Sequence, residues 1–163
     1  MTIAEIAQKM IAHSGGNRHD INHFMKVWAF AKTIGECEGL DRGTQTVLEI
    51  AAIVHDIACP LCREKYGNTN GKYQELEGPP LVRGFLADSG LPQAAVDRIA
   101  WLAGHHHTFQ GIDGPDHQIL IEADYLVNAD ESRYSRENVE NTLERVFRTG
   151  TGIHLLKAMY WEG

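Results

Sequence analysis

The sequence has few cysteines and no long apolar run, and both absences exclude classes of protein. Its 163 residues include three cysteines, an odd and small number that does not suit a disulfide framework. No apolar run approaches the ~20 residues that a membrane helix requires. The start, Met1 to Glu5, has no basic segment before an apolar one and does not resemble a secretory signal. We therefore expect a cytoplasmic protein without a membrane partner.

Positive charge is also scarce. Lysine and arginine number 15 against 22 acidic residues, which gives a net charge of −7. A protein that follows a nucleic-acid backbone needs a basic surface, so a nucleic-acid polymer is not an expected partner. No linker rich in proline, glycine or serine divides the chain. The sequence thus predicts a single domain over residues 1–163.

Apolar residues recur at helical spacing and predict an all-α fold. Phe24, Val27 and Ala31, for example, form one apolar stripe on a helix that Asp20 is expected to cap. We expect a compact bundle of about six or seven helices, with a core at about 18–130 and C-terminal helices at 135–162 packing on it. Two further expectations concern prolines. Pro60 should end a helix and begin a loop at 59–71, and Gly78-Pro79-Pro80 should begin the next helix.

Nine histidines are the unusual component of the composition. His23 lies one turn before Val27 on its apolar stripe, and His55-Asp56 ends a strongly apolar helix. Asp124 lies inside another apolar helix that offers no lysine or arginine within one turn. A carboxylate is costly to bury unless it is paired or bound to a metal. Each group alone could be a hydrogen-bonded core residue or a surface pair, but together they would suit a divalent transition metal.

The order of these residues resembles a known family. His23, then His55-Asp56, then Asp124 is similar to the H…HD…D pattern of the HD-domain metal-dependent phosphohydrolases. The apolar helical surroundings of the three motifs are similar too, over about residues 18–130. The segment 71–80 also resembles a stretch of an uncharacterised bacterial subfamily of HD-domain proteins.

The resemblance implies a function as well as a fold. The implied metal ligands are His23, His55, Asp56 and Asp124, binding manganese, iron, nickel, zinc or a similar ion. The implied reaction is attack of a metal-activated water on the phosphate ester of a small metabolite, by default a nucleotide. Asp56 is expected to touch both the metal and that water. The candidate cations for the substrate phosphate are Arg18, Lys65 and Lys72.

Departures from the family pattern leave a second metal and the general acid open. In His105-His106-His107, successive helical residues point about 100° apart, so at most two converge. We favour His105 and His106 as second-metal or substrate residues and expect His107 to point away. Dinuclear members have an earlier histidine, where this chain has Gln74, Glu75 and Glu77. Glu75 and Glu77 are the candidate catalytic acids or bases.

Other readings of the sequence remain. Cys59 and Pro60 stand where alarmone hydrolases carry an acidic pair, which disfavours that activity. The Cys59-x-x-Cys62 spacing follows a helix rather than a strand, so we interpret it as incidental. The alternative functions are a di-iron HD-type oxygenase and a non-catalytic sensor that binds a metal or nucleotide. A homodimer is compatible with the sequence but not required by it.

Overall fold

The structure is a computed structural model that describes residues 1–161, and these residues form helices and no strand, which confirms the all-α prediction. The helices within this range are α1 Ile3–His13, α2 Arg18–Cys37, α3 Arg42–Val54, α4 Cys59–Tyr66, α5 Gly71–Phe85, α6 Gln93–Ala103, α7 Gly114–Glu131, α8 Arg136–Arg145 and α9 Gly150–Tyr160. They exceed the six or seven expected from the sequence, and one of the additional helices arises because residues 59–66 are helical rather than part of a loop.

Side-chain caps fix where several helices begin. Thr2 and Glu5 form a reciprocal capping box at the start of α1, which satisfies two backbone N–H groups that the helix leaves without partners. At α2 the cap is Asn17, whose side chain accepts from the backbone N–H of Asp20. Asp20 is therefore the third residue of the helix. The prediction that Asp20 caps this helix is wrong.

The predictions based on proline were wrong in the middle of the chain. Pro60 lies in the first turn of α4, where the missing N–H has no helical partner to lose. Helix α5 begins at Gly71 and continues through Pro79 and Pro80, although proline inside a helix removes a backbone hydrogen bond. Helix α5 packs closely on α6 in this region. The contact is so close that a Cβ at position 104 would lie 2.9 Å from Cγ of Pro79, so Gly104 leaves room for the proline ring.

Helix α7 is the centre of the bundle. It is buried on nearly all sides and packs against α2, α3 and α9, as expected of a helix that is apolar around its circumference. Helix α3 is also largely buried and packs in turn against α1, α2 and α6. By contrast, α8 lies on the surface, and Val139 is its one buried residue.

One stretch, Arg42–Tyr66, is long and apolar enough by composition to cross a membrane, with a mean hydropathy of 1.3. It runs through α3 and α4, and 67% of its most apolar window is buried against the rest of the chain. Burial of this kind is typical of a core helix in a globular domain. Helix α3 also brings His55 and Asp56, directly after its last residue, to the middle of the molecule.

Candidate metal centre

The four predicted metal ligands meet in the middle of the bundle. Helix α2 contributes His23, the end of α3 contributes His55 and Asp56, and α7 contributes Asp124. Nε2 of His23 lies 3.0 Å from Oδ1 of Asp124, 3.2 Å from Oδ2 of Asp56 and 3.3 Å from Nε2 of His55. Nε2 of His55 lies 3.3 Å from Asp56 and 3.4 Å from Asp124. At these distances the lone pairs would repel one another unless a cation or a proton lay between them.

The other ring nitrogen of each histidine is already engaged. Nδ1 of His55 donates to the backbone carbonyl of Ala52 at 2.7 Å, and Nδ1 of His23 donates to Oε2 of Glu131 at 2.9 Å. In a neutral imidazole one nitrogen carries the hydrogen and the other a lone pair. Both Nε2 atoms therefore turn lone pairs towards the carboxylates, which is the arrangement of histidines that bind a metal.

Burial and charge oppose each other at this cluster. Burial disfavours the charged form of His55, but Asp56 and Asp124 outweigh it and raise the pKa of His55 well above its ordinary value. Burial likewise opposes ionisation of Asp56, yet the charge of His55 beside it holds the pKa of Asp56 well below its usual range. The pKa of Asp124 is lowered for a similar reason, through hydrogen bonds from His23 and His55. The cost of burying the two carboxylates is thus offset by the groups directly beside them.

A second set of groups lies on the other side of Asp56. His106 is fully buried, and its Nδ1 donates to the carbonyl of Ala103 at 2.8 Å. Its Nε2 lies 3.3 Å from Oδ1 of Asp56 but makes no hydrogen bond. A buried polar atom without a partner is rare and costly. The residues present thus fit a bound divalent metal, with unpartnered nitrogen beside converging lone pairs and carboxylates.

The structure exchanges the roles expected of His105 and His107. Nδ1 of His105 donates to the carbonyl of Trp101, and its ring stacks on Trp101 at 4.0 Å, away from the cluster. His107 instead lies near Asp124, and its Nε2 donates to Oε1 of Gln74 at 3.1 Å. The physical reason is that α6 ends at Ala103, and residues 104–107 form turns rather than continuing the helix. The rotation of 100° per residue does not apply there.

A cavity of about 180 Å³ opens onto the cluster. Its lining includes His23, Asp56 and Asp124, with Gln74 and His107 on the α5–α6 side. Arg63, on α4, is the one lysine or arginine among the described residues that line it. Both guanidinium nitrogens of Arg63 donate to the carboxylate of Asp20 at 2.7 Å. Arg63 was not among the predicted cations, although Lys65 from the same segment was, because a segment interpreted as a loop does not indicate which of its side chains face the site.

The remaining predicted site residues lie outside this cavity. Glu75 accepts from the backbone N–H of His107 and from Thr108. Glu77 accepts from Lys65 and Tyr66, both at 2.6 Å. Lys72 lies over the ring of Tyr73, and Arg18 is exposed at the first position of α2. Glu75 follows Gln74 directly, so the helix turns it about 100° to another face. Glu77, three residues beyond Gln74, is engaged by Lys65 and Tyr66 and is not part of the cavity lining.

Comparisons with known proteins agree with the helical architecture and the order of these motifs. The sequence pattern of a family described as "HD domain" matches residues 20–135. A crystal structure of a predicted HD superfamily hydrolase from an uncultured Thermotogales bacterium is similar, with a TM-score of 0.67 and 22% identity. The similarity covers 97% of this chain and 83% of that one. No curated protein matches the sequence significantly.

Proposed function

The chain belongs to the HD domain family. We propose that it is a metal-dependent phosphohydrolase and that its substrate, a small metabolite with a phosphate ester, is a nucleotide. One observation carries the proposal. The Nε2 lone pairs of His23 and His55 converge with the carboxylate oxygens of Asp56 and Asp124 at 3.0 to 3.4 Å. Imidazole and carboxylate together suit a divalent transition metal.

His23, His55, Asp56 and Asp124 would hold the metal. A divalent ion in such a site supplies a Lewis acid that lowers the pKa of water and neutralises charge on phosphate oxygens. Asp56 is the most exposed of the four, with 22% of its side chain accessible against 7%, 0% and 7% for His23, His55 and Asp124. It is therefore the ligand most open to the cavity, and we assign to it the orientation of the attacking water.

Arg63 is the group of this chain that we assign to the substrate phosphate. Arg63 lines the cavity together with the carboxylates of Asp20, Asp56 and Asp124, and a planar guanidinium binds two phosphate oxygens at once. In the structure it binds Asp20 in that bidentate manner. A phosphate entering the cavity would replace that carboxylate as a partner of Arg63. This assignment supersedes Arg18, Lys65 and Lys72, which line no part of the cavity.

The test is phosphate release from a panel of nucleotides and sugar phosphates, with manganese, iron, cobalt, nickel or zinc added to chelated protein. We expect release with at least one metal, and Asp56→Asn should reduce it by at least about 100-fold. Asp97→Asn is the matched control, since Asp97 is an exposed carboxylate that pairs with Arg83. Binding of nucleotide without turnover under every metal would instead support a sensor.

A second candidate function is a di-iron oxygenase. The observation that favours it is the orientation of Asp56, whose Oδ2 faces His23 and His55 while its Oδ1 faces His106. A carboxylate with one oxygen towards each of two donor groups suits a pair of metals. About two irons per chain together with oxygen uptake would favour this function, whereas about one metal per chain would exclude it.

We also propose that the protein works in the cytoplasm. All three cysteines are free thiols, and Cys59 and Cys62 are buried close together in sequence without a disulfide. Free thiols are maintained in a reducing compartment. Detection of the tagged native chain in a soluble cytoplasmic fraction would test the assignment, and recovery with membranes or in the medium would contradict it.

A further inference from the structure

A second pocket adjoins the metal centre, and most of its lining lies outside the predicted motifs. It has a volume of about 310 Å³ and shares His107, Asp124 and Asn128 with the first cavity, so the two are direct neighbours. Its remaining lining is Phe109, Tyr125, Tyr134, Asn138 and Thr142. The first cavity is smaller, at about 180 Å³. A ligand whose reacting group lay at the metal cluster would therefore place its larger part in the second pocket.

The lining defines the chemistry of that larger part. Three aromatic rings provide stacking surface, and the rings of Tyr125 and Tyr134 lie 5.6 Å apart. Two carboxamides and a hydroxyl provide donors and acceptors at Asn128, Asn138 and Thr142. The hydroxyl of Tyr125 donates to Oδ1 of Asn138, which leaves the amide N–H groups of Asn138 to face a ligand. Such a surface suits a flat, uncharged ring with hydrogen-bonding edges.

The charges exclude further phosphate groups from this pocket. Among the described residues that line it there is no lysine or arginine, and its one charged carboxylate is Asp124. A second or third phosphate would meet a carboxylate and no cation, which is unfavourable. The cation suited to phosphate, Arg63, lines the first cavity alone.

We propose that the pocket between α7 and α8 binds the base of a nucleoside monophosphate whose phosphate lies in the first cavity beside Arg63. The assignment rests on the proposed phosphohydrolase function for the position of the phosphate. Membership of the HD family does not imply it, because Asn138 and Thr142 are on α8, beyond the match that ends at residue 135. Asn138 and Thr142, the residues of α8 that would contact the base, therefore lie outside the part of the chain that the family pattern covers.

The first experiment compares turnover of the adenosine, guanosine, cytidine and uridine monophosphates with turnover of ribose phosphate, which lacks a base. We expect the best nucleotide to exceed ribose phosphate at least about 10-fold in kcat/KM. Tyr134→Ala and Asn138→Ala should each lower kcat/KM for that nucleotide about 5- to 10-fold and leave ribose phosphate unchanged. Asn141→Ala is the matched control on α8, because Asn141 is exposed and lies outside the pocket lining.

Equal turnover of ribose phosphate and every nucleotide would overturn the pocket while leaving the phosphohydrolase proposal intact. So would an equal loss for both substrates in Tyr134→Ala. The second experiment measures binding of the four nucleosides and their monophosphates to the chelated protein by calorimetry. Binding that Tyr134→Ala weakens and Asn141→Ala does not would support the pocket even if no ester were hydrolysed, which would overturn the phosphohydrolase alone. Binding of none of these eight compounds would overturn the pocket whatever the turnover.

Discussion

Oε2 of Glu131 accepts a hydrogen bond of 2.9 Å from Nδ1 of His23. This bond fixes the ring so that Nε2 turns its lone pair towards Asp124, 3.0 Å away. Lys26 holds the other oxygen of Glu131 at 2.9 Å, so the carboxylate itself is anchored from outside. Glu131 is thus a positioning residue, which acts on the candidate metal site through its hydrogen bond to His23.

Replacing this carboxylate by a neutral amide should weaken metal binding. In Glu131→Gln the hydrogen bond to His23 can persist, but the charge that makes the imidazole a stronger donor is lost. We expect metal affinity to fall about 10-fold, the lower end of what such partners contribute. Competition with a fluorescent chelator measures it, with Asp130→Asn as control because Asp130 is the exposed neighbour. Equal affinities in the two variants would remove Glu131 from the site.

Stability of the metal-free protein should fall as the pH rises. Carboxylates raise the pKa of His23 and of His55 above the ordinary 6.5, so their charged forms stabilise the fold fully below pH 6.5. That contribution is lost as the pH passes through the raised values. Metal binding needs neutral imidazoles, so the stabilisation by added metal should grow over the same range. Urea unfolding between about pH 6 and pH 9, with chelator or with metal, measures both trends. Parallel curves would contradict this linkage.

Sequence reasoning located the ligand set because each of its members breaks a helical pattern. His23, His55 and Asp124 lie on apolar faces, and periodicity is enough to place such residues on the same side of their helices. Prediction from the sequence was weakest at the termini of helices, where the periodic pattern stops. The exchange of His105 and His107 follows from the end of α6 at Ala103. Gly104, the C-cap directly before the run, is a stop signal that the prediction did not use.

Contacts between segments far apart in the chain could not be predicted from the sequence for another reason. Arg63 and Asp20 are 43 residues apart, and their pairing depends on α4 being a helix. The proline near its start was interpreted as a stop, whereas the first turn of a helix accepts proline readily. Gln74 was passed over because an amide among acidic residues has no distinctive pattern. Its position appears only when α5 packs on α6.

The cysteines should differ in reactivity in a way that tests whether their spacing is incidental. Cys37 is exposed, while burial raises the pKa of Cys59, helped by the charge of Asp56, and raises the pKa of Cys62 as well. Because the thiolate is the reactive form, iodoacetamide at neutral pH should modify Cys37 alone in the folded protein. Mass spectrometry of digested samples shows which cysteines have been modified. Rapid modification of Cys59 or Cys62 before unfolding would point to a redox or metal role.

Glu122 should be important for stability without touching the metal site. Its carboxylate is fully buried and accepts from Thr149 through both hydroxyl and backbone and from the backbone of Arg148. In Glu122→Gln an amide N–H₂ faces these donors, so we expect a loss of about 2 kcal/mol in the free energy of unfolding. Urea denaturation measures it, with Glu137→Gln as the exposed control. Metal affinity should stay unchanged, and a loss no larger than in the control would contradict the role.

The surface position of α8 has a consequence for how chains of this kind diverge. Val139 is its one buried residue, and surface substitutions away from special features usually change stability little. The helix can therefore accumulate changes in shape and polarity at small thermodynamic risk, while the buried ligands on α2, α3 and α7 tolerate almost none. If α8 lines the substrate pocket as proposed, substitutions on this one peripheral helix would change which ligand is accepted and leave the residues at the centre of the bundle unaltered.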